Sequence, residues 1–270
     1  MKLFKTCLSL CLVLIVGQAT AFAQDEAGTA KREPQTAEAE AVLKKAVAAL
    51  GGERYLNVKT QIGRGRYSVL RDGIIVSFQS FYDVLVYPDK NRTDFKSGGV
   101  KTVQTNAGES GWVFDGNLEV IRDQSDLQLA NFKRGTRVSI DNLLRGNWRD
   151  AAELSYTGQR PGSLGKRNDV VKLTYEDGFE VEFEFSDEGL PQKTVYHRIG
   201  GGGETISEED RYAQFITIGG IATPFIIDRY SNGVHLSRVN YESVEYNKRV
   251  PNDIFEKPAT PRAFRKDLRL

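Results

Sequence analysis

From residue 60 onward, apolar and polar residues alternate along the chain. In "FEVEFEFSDEGLP" (179–191), Phe179, Val181, Phe183 and Phe185 fall on one side of an extended chain and Glu180, Glu182 and Glu184 on the other, because strand side chains alternate with period two. "IIVSFQSFYDVLVY" repeats the pattern: Ile74, Val76, Phe78, Tyr82, Val84 and Val86 share a face broken only by Ser80. Asp72-Gly73, Asp115-Gly116, Asp177-Gly178 and Asn232-Gly233 mark tight hairpin turns, since these pairs tolerate positive φ. Pro88-Asp89, Gly98-Gly99, Gly200 to Gly203 and Gly219-Gly220 add loop signals. The pattern predicts about ten to thirteen antiparallel strands in successive hairpins.

Two segments break the alternation. "AEAEAVLKKAVAALGG" places Val42, Leu43, Ala46, Val47 and Leu50 on one helical face, with Gly51 placed to end the helix in the left-handed conformation. In "SDLQLANFKRGTRVSIDNLLRGNWRD" (125–150), Ile140, Leu143, Leu144 and Trp148 form another such face with Ser139 as N-cap, and Leu127, Leu129 and Phe132 predict a shorter helix before Gly135. So many strands in one curved sheet enclose more volume than their own side chains fill, whereas about eight close into a filled barrel. The helices, a guest molecule, or both must occupy the hollow. The pattern alone leaves open whether the phenylalanine row meets packed core or open space.

The first 23 residues add a location. Lys2 and Lys5 precede the apolar run "CLSLCLVLIV", and Ala21 and Ala23 stand at the −3 and −1 positions of a cleavage site. The expected mature chain, 270 less 23, has 247 residues and reads as one large β domain. Loss of Lys2 and Lys5 turns 37 bases against 36 acids into 35 against 36, a balance that argues against a nucleic-acid partner. Both cysteines, Cys7 and Cys11, leave with the signal, so no disulfide or thiolate chemistry is expected. His197 and His235 lie alone in strand segments without metal-ligand spacing. "GESGW" lacks the nucleophile-elbow spacing, and "GRGRYS" enters a strand instead of the helix that a phosphate loop needs. The Glu180, Glu182, Glu184 row reads as a solvated face neutralised by Lys172 or Arg198. No cofactor, metal or catalytic residue is expected.

"ALGG" closing the first helix, "ERYLNVKT" leading into a Gly-rich strand, "GESGWVFDGN" and the terminal "VPNDIFEKP" together resemble the outer-membrane lipoprotein-sorting proteins of the lipoprotein-carrier (LolA-LolB-like) superfamily. The likeness covers roughly residues 39–258. It implies an open antiparallel half-barrel with an N-terminal helix and a mid-chain helical lid, binding acyl chains of lipids or lipoproteins without catalysis. The expected organisation is a signal peptide (1–23), a disordered leader (24–38), the half-barrel (39–258) and a flexible basic tail (259–270). The chain is expected to be periplasmic and monomeric, with envelope membrane proteins as further partners. Phe78, Tyr82, Trp112, Phe114, Phe183 and Phe185 are the expected cavity lining, with Leu127, Phe132, Leu143, Leu144 and Trp148 as the lid. Two rivals stay open: a sensor or adaptor of the same fold that binds a partner protein, and an envelope hydrolase that would bring a histidine to a carboxylate or serine.

Overall fold

The computed structural model describes residues 26–264, 266–268 and 270, the first ten as backbone. The expected signal peptide lies outside these residues. A long helix, α1 (Glu26–Leu50), and a single turn, α2 (Glu53–Leu56), precede six strands: β1 (Thr60–Arg71), β2 (Ile74–Val86), β3 (Lys90–Ser97), β4 (Val100–Ala107), β5 (Ser110–Asp115) and β6 (Val120–Asp123). Then come α3 (Asp126–Arg137), α4 (Ile140–Leu144) and seven more strands: β7 (Ala152–Pro161), β8 (Arg167–Tyr175), β9 (Glu180–Phe185), β10 (Pro191–Ile199), β11 (Thr205–Ile218), β12 (Ile221–Ser231) and β13 (Val234–Tyr246).

All thirteen strands form one antiparallel sheet in the order β6-β5-β4-β3-β2-β1-β13-β12-β11-β10-β9-β8-β7. Every neighbouring pair is a hairpin except β1 and β13, which join the two meanders with Gln61 opposite Tyr246. The edge strands β6 and β7 do not pair, so the curved sheet stays an open half-barrel. Asp72-Gly73, Asp177-Gly178 and Asn232-Gly233 sit between paired strands, whereas Asp115 ends β5 and the turn to β6 takes its positive φ at Glu119. At Asp72-Gly73 and Asn232-Gly233 both residues have positive φ, as a two-residue hairpin loop matched to strand twist requires.

One face of the sheet carries the helices. Val181, Phe183 and Phe185 of β9 join Val171 and Leu173 of β8 beneath Ala39, Val42, Leu43, Ala46 and Leu50 of α1. Phe183 and Phe185 are fully buried there, each worth about 1.5–3 kcal/mol. The phenylalanine row therefore meets packed core. Ala39 and Ala46 keep the helix close to the strands, and Gly51 (φ 123°) ends it where a Cβ would stand 2.4 Å from the Gly220 carbonyl oxygen. The helix starts at Glu26, so its backbone takes in most of the segment expected to be a disordered leader.

The opposite face is covered by the C-terminal chain. Ile62 and Val84 pack on Phe255, joined by Tyr82, Val86, Leu268 and Leu270. The Trp112 indole donates to the Phe255 carbonyl at 2.9 Å, and Phe264 stacks on Phe114 with ring centroids 4.3 Å apart. Within the stretch expected to be a flexible basic tail (259–270), Phe264, Leu268 and Leu270 are thus packed against the sheet. The reason lies in the apolar residues spaced among the bases: Phe264 and Leu268 supply the anchors, and Asp267 pairs with Lys96 at 2.6 Å.

Candidate functional site

Where α1 does not fill the hollow, a cavity of about 520 Å³ remains between the sheet centre and α2, α3 and α4. Alternation decides its walls. Gln61 of β1, Asp83 and Leu85 of β2, Tyr196 of β10, Glu208, Asp210 and Tyr212 of β11, and Ile227 and Arg229 of β12 all point inward. In β13 both Tyr241 and Tyr246 do so, although five residues apart. The register slips between Arg64 and Gly65 of the neighbouring strand, leaving Glu242 as an extra residue that resets the alternation.

Two glycines give this floor its depth. A Cβ on Gly63 would lie 2.1 Å from Asp83 Oδ1 and 2.5 Å from Tyr241 Cε1, and one on Gly65 would lie 2.9 Å from Phe81 Cζ. The Gly63-x-Gly65 pair, unremarkable as a phosphate loop, is where side chains from both neighbouring strands lie across the backbone. Asp83 is only 7% exposed, and its Oδ1 accepts no hydrogen bond. Burial pushes its carboxyl up to about 6, against the opposing pull of the Tyr241 hydroxyl and the adjacent amides.

A saturated network fastens the lid. Asp141 of α4 accepts from the hydroxyls of Tyr55 (2.9 Å) and Tyr87 (3.1 Å) and from Arg145 Nε (2.9 Å). The remaining Arg145 nitrogens donate to the carbonyls of Tyr55, Leu56 and Val58, each at 3.1 Å. Burial raises the tyrosine pKa values well above the usual range. Ser139 caps α4 as expected, accepting from the Asn142 amide at 3.0 Å, and Ser125 closes a capping box on α3.

The strand register gives the cavity a direction. Toward α1 and α2 its wall is apolar and aromatic, with Leu50, Val58, Leu85, Phe215 and Ile221. At the other end Asp210 stands directly across from Arg229, next to Glu208 and beneath Arg134 of α3. Burial raises the Asp210 carboxyl, only partly offset by Arg229. Burial alone would lower the Arg229 pKa, yet Asp210 and Tyr67 hold its guanidinium protonated.

None of the eleven residues expected to line the cavity or its lid forms this wall. Phe183, Phe185, Leu143, Leu144 and Trp148 belong to the packed core beneath and beside α1. Tyr82, Trp112 and Phe114 face the C-terminal segment on the other side. Phe78 is 57% exposed and Leu127 70%, while Phe132 is half-buried on α3. Of the acidic row on β9, Glu180 pairs with Lys172 at 2.8 Å, and Glu182 and Glu184 pair with Arg160; Arg198 pairs instead with Glu208. His235 meets Asp228 at 3.0 Å, but Arg238 holds the same carboxylate and neither histidine lines the cavity. Among the described residues no helix is long and apolar enough to cross a membrane.

No protein-family model and no curated protein matches the chain. Solved structures do. A DUF1329 family protein from Desulfovibrio piger is similar with a TM-score of 0.60 at 14% identity, over 81% of this chain and 97% of that one. A LolA superfamily protein from Nitrosomonas europaea is similar with a TM-score of 0.56 at 16% identity, over the same shares of the two chains. The fold is LolA-like. In this LolA-like half-barrel the cavity lies between sheet and lid, and its chemistry is amphipathic: tyrosines and aliphatic residues at one end, charge at the other.

Proposed function

We propose that the chain is an exported, non-enzymatic carrier that shelters the acyl part of a lipid or lipoprotein in the periplasm. The cavity between sheet and lid is the observation that supports it. About 520 Å³ lies within the roughly 300–1,000 Å³ of ordinary ligand sites, a scale that favours one alkyl chain over several. Affinity would come from removing methylenes from water, at about 0.8 kcal/mol each. Release would follow lid opening, because non-directional contacts provide no chemical step that ejects the guest. Native mass spectrometry of protein purified from its own envelope tests this reading: a co-purifying single-chain amphiphile supports it. A protein that carries no lipid and takes up no alkyl probe overturns it.

An envelope membrane protein as a further partner is favoured by a separate feature. Ile74, Ile75, Val76 and Phe78 of β2 and Val234 and Leu236 of β13 are exposed together at adjoining hairpin tips, and clustered exposed apolar surface marks interaction sites. Crosslinking from Ile75 in intact envelopes tests it; the absence of any protein adduct would leave the carrier acting alone.

A further inference from the structure

We propose that the charged end of the cavity anchors the carboxylate head of a single-chain amphiphile on Arg229, with the alkyl part running toward Phe215 and Ile221. This rests on the carrier reading above and names the chemistry of its guest.

The case begins with donors left unused. A guanidinium carries five N–H donors in a planar fork that suits a carboxylate. The buried arginines that hold this fold together spend theirs: Arg145 donates to Asp141 and three carbonyls, and Arg92 to Asp94 and the Ile254 carbonyl. The Arg229 guanidinium donates no hydrogen bond to any described residue. Its one ion-pair contact among the described residues is Asp210 Oδ1, 3.6 Å from Nε, which leaves the outer edge of the fork free. The side chain is 52% accessible and lines the cavity, so the fork is open to a guest there.

Charge narrows the guest. Glu208 is paired with Arg198 at 2.7 Å, and Arg134 has no ion pair among the described residues. Arg134, Arg198 and Arg229 against Glu208 and Asp210 leave one net positive charge at this end. One charge matches a monoanion better than a phosphate dianion. Asp83 lies three side-chain rows away along β1, opposite Gly63, whereas the Arg229 row crosses β1 at Val69. The Asp83 carboxyl therefore does not crowd the head group. Along β11 the wall passes from Asp210 through Tyr212 to Phe215, so an anchored head leaves its tail pointing into the apolar end.

The test is calorimetric titration of the delipidated mature protein with dodecanoate and with dodecan-1-ol at pH 8, both below their aggregation limits. Dodecanoate is expected to bind the wild type at least about tenfold more tightly than the alcohol. Arg229→Gln should weaken dodecanoate about tenfold to a hundredfold, the range of a charge-assisted hydrogen bond, and leave dodecan-1-ol within a few-fold. Asp210→Asn removes the competing carboxylate and should tighten dodecanoate, a gain that a misfolded protein cannot show. Equal affinity of the wild type for both probes, or equal weakening of both by Arg229→Gln, overturns the anchor and leaves the carrier standing. Binding of neither probe removes carrier and anchor together.

Discussion

The Tyr241 hydroxyl reaches across the backbone of Gly63 and donates a hydrogen bond to Asp83 Oδ2 at 3.2 Å. Three strands meet in this contact, since Asp83 belongs to β2, Gly63 to β1 and Tyr241 to β13. It ties the two meanders at the seam where they join. Gly63→Ala would place a methyl group 2.1 Å from Asp83 Oδ1 and 2.5 Å from the Tyr241 ring. Both side chains must then move, and overpacking of this kind costs about 1–3 kcal/mol. Urea unfolding should show that loss, and an unchanged midpoint would mean that the floor is looser than the packing indicates.

The same carboxyl sets a pH dependence. Asp83 has a folded-state pKa of about 6, above its unfolded value of about 3.9. Below pH 4 both states hold the proton. Between pH 4 and 6 the unfolded chain ionises while the folded one does not, so stability falls as pH rises and stays lower above 6. The difference amounts to about 3 kcal/mol, and the raised Asp210 carboxyl adds in the same direction. Asp83→Asn should flatten most of this slope and stabilise the protein at pH 8. Denaturant melts of the two proteins at pH 4.5 and 8 decide it; parallel pH profiles would count against a protonated Asp83.

The lid makes a separate prediction. Asp141 gathers Tyr55, Tyr87 and Arg145 onto one carboxylate, and Arg145 is nearly buried. Asp141→Ala would leave that guanidinium facing carbonyls without its counter-ion. A loss of about 2–3 kcal/mol is expected, the scale of hydrogen bonds to charged groups. Hydrogen exchange should rise first in residues 138–146, where α4 releases from α2. If exchange rises equally through β8 and β9, the network supports the whole core and is not a lid fastening.

Much of this architecture was legible in the chain because it rests on local rules. The Asp72-Gly73, Asp177-Gly178 and Asn232-Gly233 turns, the 3.6-residue faces of α1 and α4 and the Ser139 cap depend on neighbours in sequence. The cavity depends on pairings far apart. Period two shows that Tyr82 and Val84 share a side and that Asp83 and Leu85 share the other, but not which side the helices cover. The C-terminal segment, nearly two hundred residues away, covers the greasier side of β2, so the apolar row was not the cavity wall. The bulge at Glu242 could not be placed from alternation either, and without it Tyr241 and Tyr246 would face opposite ways. The readable hint was the Gly63-x-Gly65 spacing at the start of a long strand: missing side chains there make room for neighbours.

Filling the hollow should separate binding from folding. Ile227 of β12 stands in the cavity wall, directly opposite Tyr212 of β11. Ile227→Trp extends an indole into open volume instead of packed core, so it avoids the strain of inserting bulk where atoms already touch. Its added apolar surface leaves water on folding, at about 25 cal/mol per Å², and the melting temperature should hold or rise. An alkyl guest would find that space taken, and uptake of a fluorescent fatty-acid probe should fall at least about tenfold, the effect of losing two buried methylenes. Probe uptake equal to wild type in a stably folded Ile227→Trp protein would place the guest elsewhere, with the exposed apolar strip from Ile74 to Phe78 as the next surface to test.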